Sequence, residues 1–141
     1  MRINSVNRSL DDKAFDRIDH ALARPVDPMA KTYREYFATD KDGEQAAAFR
    51  ASPHWIEGRN DGRMAWFFVT QEGRAALRDH LKEIGDKNLL FIVTYEGHEM
   101  PTVATSHSKA RYSRWLDISD CREGLTFREF QSDARVRLAA Q

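Results

Sequence analysis

Residues 55–84 read WIEGRNDGRMAWFFVTQEGRAALRDHLKEI. The stretch divides into strand, tight turn, strand and capped helix. Asn60-Asp61-Gly62 tolerates positive φ and so predicts a hairpin turn. Met64 to Val69 is apolar on both alternating faces, the pattern of a strand covered on both sides. Thr70 is placed to cap the helix that follows, with Glu72 in its first turn to meet the dipole. Leu77, Leu81 and Ile84 then fall on one stripe. Gly73 shares that stripe and leaves room for the helix to approach the hairpin closely.

Working outward toward the start, residues 1–8 are polar and expected to be loose. Ser9 and Asp12 form a capping-box pattern before a helix over about 10–23, which carries Phe15, Ile18 and Leu22 and stops ahead of Pro25. Asp27-Pro28 restarts a helix over about 28–38, with Met29, Tyr33, Tyr36 and Phe37 on its core face. A third, short helix over about 43–51 runs through Ala46, Ala47, Ala48 and Phe49 and ends at Ser52-Pro53.

Beyond the opening stretch, Gly85-Asp86 closes the helix. Leu89 to Tyr95 and His98 to Ala104 read as a second hairpin turning at Glu96-Gly97. Pro101 cannot donate to a ladder, which places its strand at an edge or a bulge. Thr105 or Ser106 caps a helix through SHSKARYSRWLDI, and Thr126 with Glu129 caps another that buries Phe127 and Phe130. The tail ARVRLAAQ is read as helical or frayed. A two-stranded sheet cannot bury both faces alone, so this unit is expected to pack on the first one or on a partner.

The chain has 141 residues, 41% of them hydrophobic, with Lys plus Arg equal to Asp plus Glu at 22 each. The length suits one domain, or one small domain with an appended unit. Zero formal charge argues against a strongly basic nucleic-acid binder and against an acidic DNA mimic. The single cysteine, Cys121, excludes an intrachain disulfide and fits a reducing compartment. With no long apolar run and no apolar leader, the expectation is a cytoplasmic protein that does not enter a membrane.

The hairpin and its helix resemble the wing of MarR-type winged helix-turn-helix proteins. The matching residues are Asp61, Arg63, Val69, Thr70, Gly73, Arg74, Ala75, Ala76 and Leu77. That resemblance implies an α+β fold: a winged-helix-like core over residues 1–86, with three helices, a β-hairpin wing and a helix. Residues 87–141 would form an appended β-hairpin and two-helix unit. The segments YEGH, VATSHSKARYSRWLDISD and LTFREF, with DHAL (residues 19–22) and YREYF (residues 33–37), resemble small proteins of tailed phages and prophages of proteobacteria. This second resemblance implies a mobile-element origin and carries no activity.

Motifs for chemistry are missing. The five histidines never fall in H-x-x-x-H or H-E-x-x-H spacing, and no phosphate-cradling or nucleophile-elbow glycine pattern occurs. Neither Ser106-His107-Ser108 nor Cys121 with a distant histidine indicates a catalytic set. The expectation is therefore a protein with no enzyme activity, cofactor or metal. It would bind a macromolecular partner, a host protein or ribonucleoprotein complex, as an inhibitor of host defence of the anti-CRISPR kind does, with homodimerisation open.

Lys109, Arg111 and Arg114 crowd the start of one helix and oppose its dipole, which suits an anionic partner. They are the candidate partner-binding residues. The alternative is a DNA-binding transcriptional regulator. Gln45 and Arg50 on the third helix would then face DNA, and Arg59, Asn60 and Arg63 at the wing tip would enter a minor groove.

Overall fold

The computed structural model describes residues 5–139. Residues 1–4 of the polar start and residues 140–141 of the tail lie outside the described residues. Among the described residues, the chain is of mixed α+β class, with five helices and two three-stranded antiparallel sheets. The described residues divide into two compact units, one from Asn7 to Asp86 and the other from Lys87 onward together with Ser5 and Val6.

The first unit runs α1 (Lys13–Ala21), β1 (Tyr36–Asp40), α2 (Glu44–Arg50), β2 (Trp55–Asn60), β3 (Met64–Val69) and α3 (Gln71–Glu83). The sheet order is β1-β3-β2. The hairpin read from residues 55–69 is formed, and Asp61 closes its tip by accepting the N–H groups of Arg63 and Met64 at 2.8 and 2.7 Å. Thr70 caps α3 by accepting from the Gly73 N–H at 3.1 Å. A Cβ on Gly73 would stand 2.6 Å from the His54 carbonyl oxygen and 2.9 Å from Val69 Cγ1. Only glycine permits that approach of helix to hairpin. Ile18, Leu22, Ala46, Phe49, Trp55, Phe67, Leu77 and Leu81 form the core. Phe49 stacks on Trp55 at 4.0 Å between ring centres and meets Phe67 edge-on.

Three expectations are corrected here. The helix over residues 28–38 does not form. Asp27 makes one turn, accepting from the Met29 N–H at 2.9 Å, and the chain then extends into β1, whose five residues pair with β3. The winged-helix expectation of three helices before the hairpin therefore meets two, α1 and α2, with a strand between them. Ser9 is not the cap of α1; Asp12 is, accepting from Ala14 and Phe15. Nor is the region up to residue 8 uniformly loose. The Arg8 guanidinium is buried and bonds both oxygens of Asp19, the Asp86 carboxylate and the Pro25 carbonyl. Arg24, held at φ 51°, adds bonds to Asp16 and Asp19 at 2.7 and 3.0 Å. The Arg24 guanidinium holds the Asp16 carboxyl below the usual range, with the Leu10 N–H helping and partial burial opposing.

The second unit contains β4 (Leu89–Tyr95), β5 (His98–Ala104), α4 (His107–Ser119), α5 (Phe127–Asp133) and β6 (Arg135–Leu138). The sheet order is β5-β4-β6. Within the tail, Arg135–Leu138 is thus a strand, not a helix. It supplies the third strand that a hairpin needs for a stable sheet. Glu96 and Gly97, with φ of 51° and 79°, make the β4–β5 turn. Alternation from the Tyr95–His98 pair turns the backbone of residue 101 outward on β5, so Pro101 forfeits no ladder bond. Phe91, Val93 and Tyr95 pack with Ala110 of α4 and Phe130 of α5. Among the described residues, no helix is long and apolar enough to cross a membrane.

Candidate functional site

Strand alternation gives each sheet face its own chemistry. In β3, Ala65, Phe67 and Val69 are buried, while Met64, Trp66 and Phe68 on the other face are half-exposed. The expectation that this strand is covered on both sides holds for one side only. Register fixes which residues share the open face. Tyr36 of β1 and Ile56 of β2 flank Phe68, and Ala38 stands beside Trp66. Ile56 is 61% exposed and Tyr36 is 42% exposed. A solvated antiparallel face is ordinarily polar. This one is aromatic and aliphatic.

A bulge, a covered glycine and an arginine shape this face. The β2–β3 register slips between Glu57 and Asn60, a bulge that includes Gly58 and Arg59. The Phe68 ring lies over Gly58, where a Cβ would come 2.4 Å from Cε2. The Arg59 guanidinium sits over the Trp66 ring, 4.8 Å from its centre. At the Tyr36 end the face opens into a groove of about 630 Å³, lined among others by Lys31, Tyr33, Arg34, Tyr36, Phe68 and Gln71.

One buried side chain builds the groove wall. Arg74 of α3 donates to the carbonyls of Pro28 and Ala30 at 2.8 and 3.0 Å, to Thr32 Oγ1 and to Glu35. A guanidinium with fixed forked donors can pin an irregular loop in this way. Arg34 donates to the His20 carbonyl at 2.8 Å.

The residues singled out in the sequence are distributed as follows. Gln45 lies half-buried in the first turn of α2. Arg50 is bound on both forks by Glu57, at 2.9 and 3.0 Å, and also donates to the Lys41 carbonyl. That pairing raises the Arg50 pKa and lowers that of Glu57. Arg59, Asn60 and Arg63 are exposed at the hairpin tip, with Asp61 between them. The backbone N–H groups of Met64 and Arg63 hold the Asp61 carboxyl below its ordinary range, and the two arginines add to this. Arg50, Arg59 and Arg63 are thus interleaved with carboxylates.

On α4, Ser106 caps the helix and its first turn holds no acidic residue. Arg111 and Arg114, three residues apart, lie on one side and are half-buried. Lys109 points elsewhere and is exposed. Arg114 stands 3.8 Å from Asp117.

Sequence reasoning missed Tyr36, Ile56, Trp66 and Phe68 as a surface. The available signal was the doubly apolar run of residues 64–69 opposite an apolar Ile56 in a short hairpin. Among the described residues, no three His, Cys, Asp or Glu side chains gather as metal ligands. No family model, curated protein or solved structure matches the chain.

Proposed function

We propose that the chain is a non-enzymatic binding protein that grips a macromolecular partner through the outer face of the β1-β3-β2 sheet. The observation that carries this reading is the exposed row Tyr36–Phe68–Ile56, continued by Trp66. Aromatic side chains and arginine carry much of the binding energy in protein interfaces. The partner we favour is a host protein or ribonucleoprotein complex, with the chain acting as an inhibitor of host defence. Arg111 and Arg114, on one side of α4, form a second, cationic candidate contact, with Lys109 on another side of the helix.

The test is affinity capture by the tagged full chain from a proteobacterial lysate. Wild type is expected to retain a defined complex, and Ile56→Asp, at an exposed position, to lose it. Equal recovery by both would remove the sheet face from the interface. Arg111→Glu with Arg114→Glu is expected to weaken recovery, and an unchanged yield would remove α4.

A winged-helix DNA-binding regulator is the second reading, favoured by the hairpin tip carrying Arg59, Asn60 and Arg63. Against it stands the Arg50–Glu57 pair, which neutralises the cation of α2 that would face phosphate. Tight duplex binding with a steep salt slope would favour the regulator over the protein-directed reading.

A further inference from the structure

We propose that the outer face of the β1-β3-β2 sheet, with the groove at its Tyr36 end, binds single-stranded nucleic acid. This rests on the reading of the face as the gripping surface and names the occupant. Apolar area alone suits a protein partner equally, so charge and ring placement decide.

Tyr33, Tyr36 and Phe68 line the groove and Trp66 follows along β3 toward the hairpin, with one side of the Phe68 ring on Gly58 and one side of the Trp66 ring under Arg59. Bases stack on such rings whatever their sequence, because every base has a π-face. Cations lie at both ends of the path: Lys31 and Arg34 line the groove, and Arg59 and Arg63 stand at the hairpin. The carboxylates at the rim are already held by donors of their own. Glu35 is bonded to Arg74, Asp61 to two N–H groups of its turn, and Asp40 to the Asp42 N–H. A polyanion therefore meets cations next to the rings; Glu35 is neutralised by Arg74, while Asp40 and Asp61 keep their charge and oppose it.

The four residue steps from Phe68 to Met64 cover roughly 14 Å. That is room for on the order of two or three splayed bases. A duplex keeps its bases stacked on one another and cannot use the rings. The face also presents no helix to enter a groove.

The probes are fluorescently labelled single strands of about ten thymidines or uridines, sized to a typical single-strand site, and a duplex of the same length. Anisotropy is read with the full chain at about 0.15 M salt. The single strands are expected to bind at least about tenfold more tightly than the duplex, and Tyr36→Ala and Trp66→Ala each to weaken them about tenfold. Tyr36 is at the surface, so its variant keeps the core and remains informative if Trp66→Ala fails to fold. Arg59→Glu with Arg63→Glu is expected to flatten the salt dependence.

No single-strand binding up to about 1 mM, equal binding of duplex, or an unchanged affinity in Tyr36→Ala would each overturn the proposal. If Ile56→Asp abolishes capture of a protein complex while both single strands fail to bind, the face is the gripping surface and its occupant is protein. The present inference then falls and the proposed function stands.

Discussion

At the residue scale, a few side chains with several partners hold the first unit together. Asp19 is fully buried and carries a charge matched by Arg8 and Arg24. Removing one partner of a buried pair strands the other. Arg8→Ala is therefore expected to destabilise the protein by about 3 kcal/mol in urea unfolding. The sequence hid this, because the partners of Arg8 lie 11 and 78 residues away. Gly73 was legible, since a glycine on an apolar helical stripe needs a reason. Gly73→Ala should cost about 1–3 kcal/mol, as a backbone carbonyl and a valine methyl occupy the space its Cβ needs. Asp61 gives a pH signature. Its carboxyl pKa is lowered in the fold, so the stabilisation it gives the hairpin tip is complete above the unfolded value and is lost as pH falls through the folded one. The Arg63 and Met64 amide resonances should accordingly titrate with a midpoint below 3.8. A midpoint at or above that value would show that the turn bonds do not hold the carboxylate.

At the scale of elements, the capped helices and tight hairpins were readable, and the two misread segments fail for one reason. Tyr33, Tyr36 and Phe37 fit a helical face, yet aromatic and β-branched residues also fit a strand once a partner is present. The partner here is β3, and local periodicity does not reveal it. The tail segment RVRL alternates at period two, but its pairing with β4 spans some forty residues. The Ala139 N–H donates to the Leu90 carbonyl, so alternation turns the backbone of Arg137 toward β4 as well. Arg137→Pro should then lower the stability of the second unit by about 1–3 kcal/mol. No change in its urea midpoint would mean that β6 contributes little. In the first unit, Arg74→Met should leave α3 in place but raise amide hydrogen exchange across residues 28–35, because four of the loop's acceptors lose their donor.

At the scale of the whole molecule, charge points away from a duplex. The chain balances 22 cations against 22 anions, and Arg50 is committed to Glu57. Few phosphate contacts remain, so binding to random duplex DNA at about 0.15 M salt should be weaker than micromolar. The α+β class was legible from the order of capped helices and hairpins. The interaction surface was not, because it arises only when β1 joins the hairpin and lines Tyr36 up with Phe68 and Ile56. The central claim is that partners are gripped by this open sheet face, and not by α2 with the hairpin turn. The most direct measurement compares partner capture, with folding checked by circular dichroism, for Ile56→Asp and for Gln45→Ala with Asn60→Ala. The account predicts loss with the first and retention with the second; retention with Ile56→Asp and loss with the α2 and turn variant would contradict it.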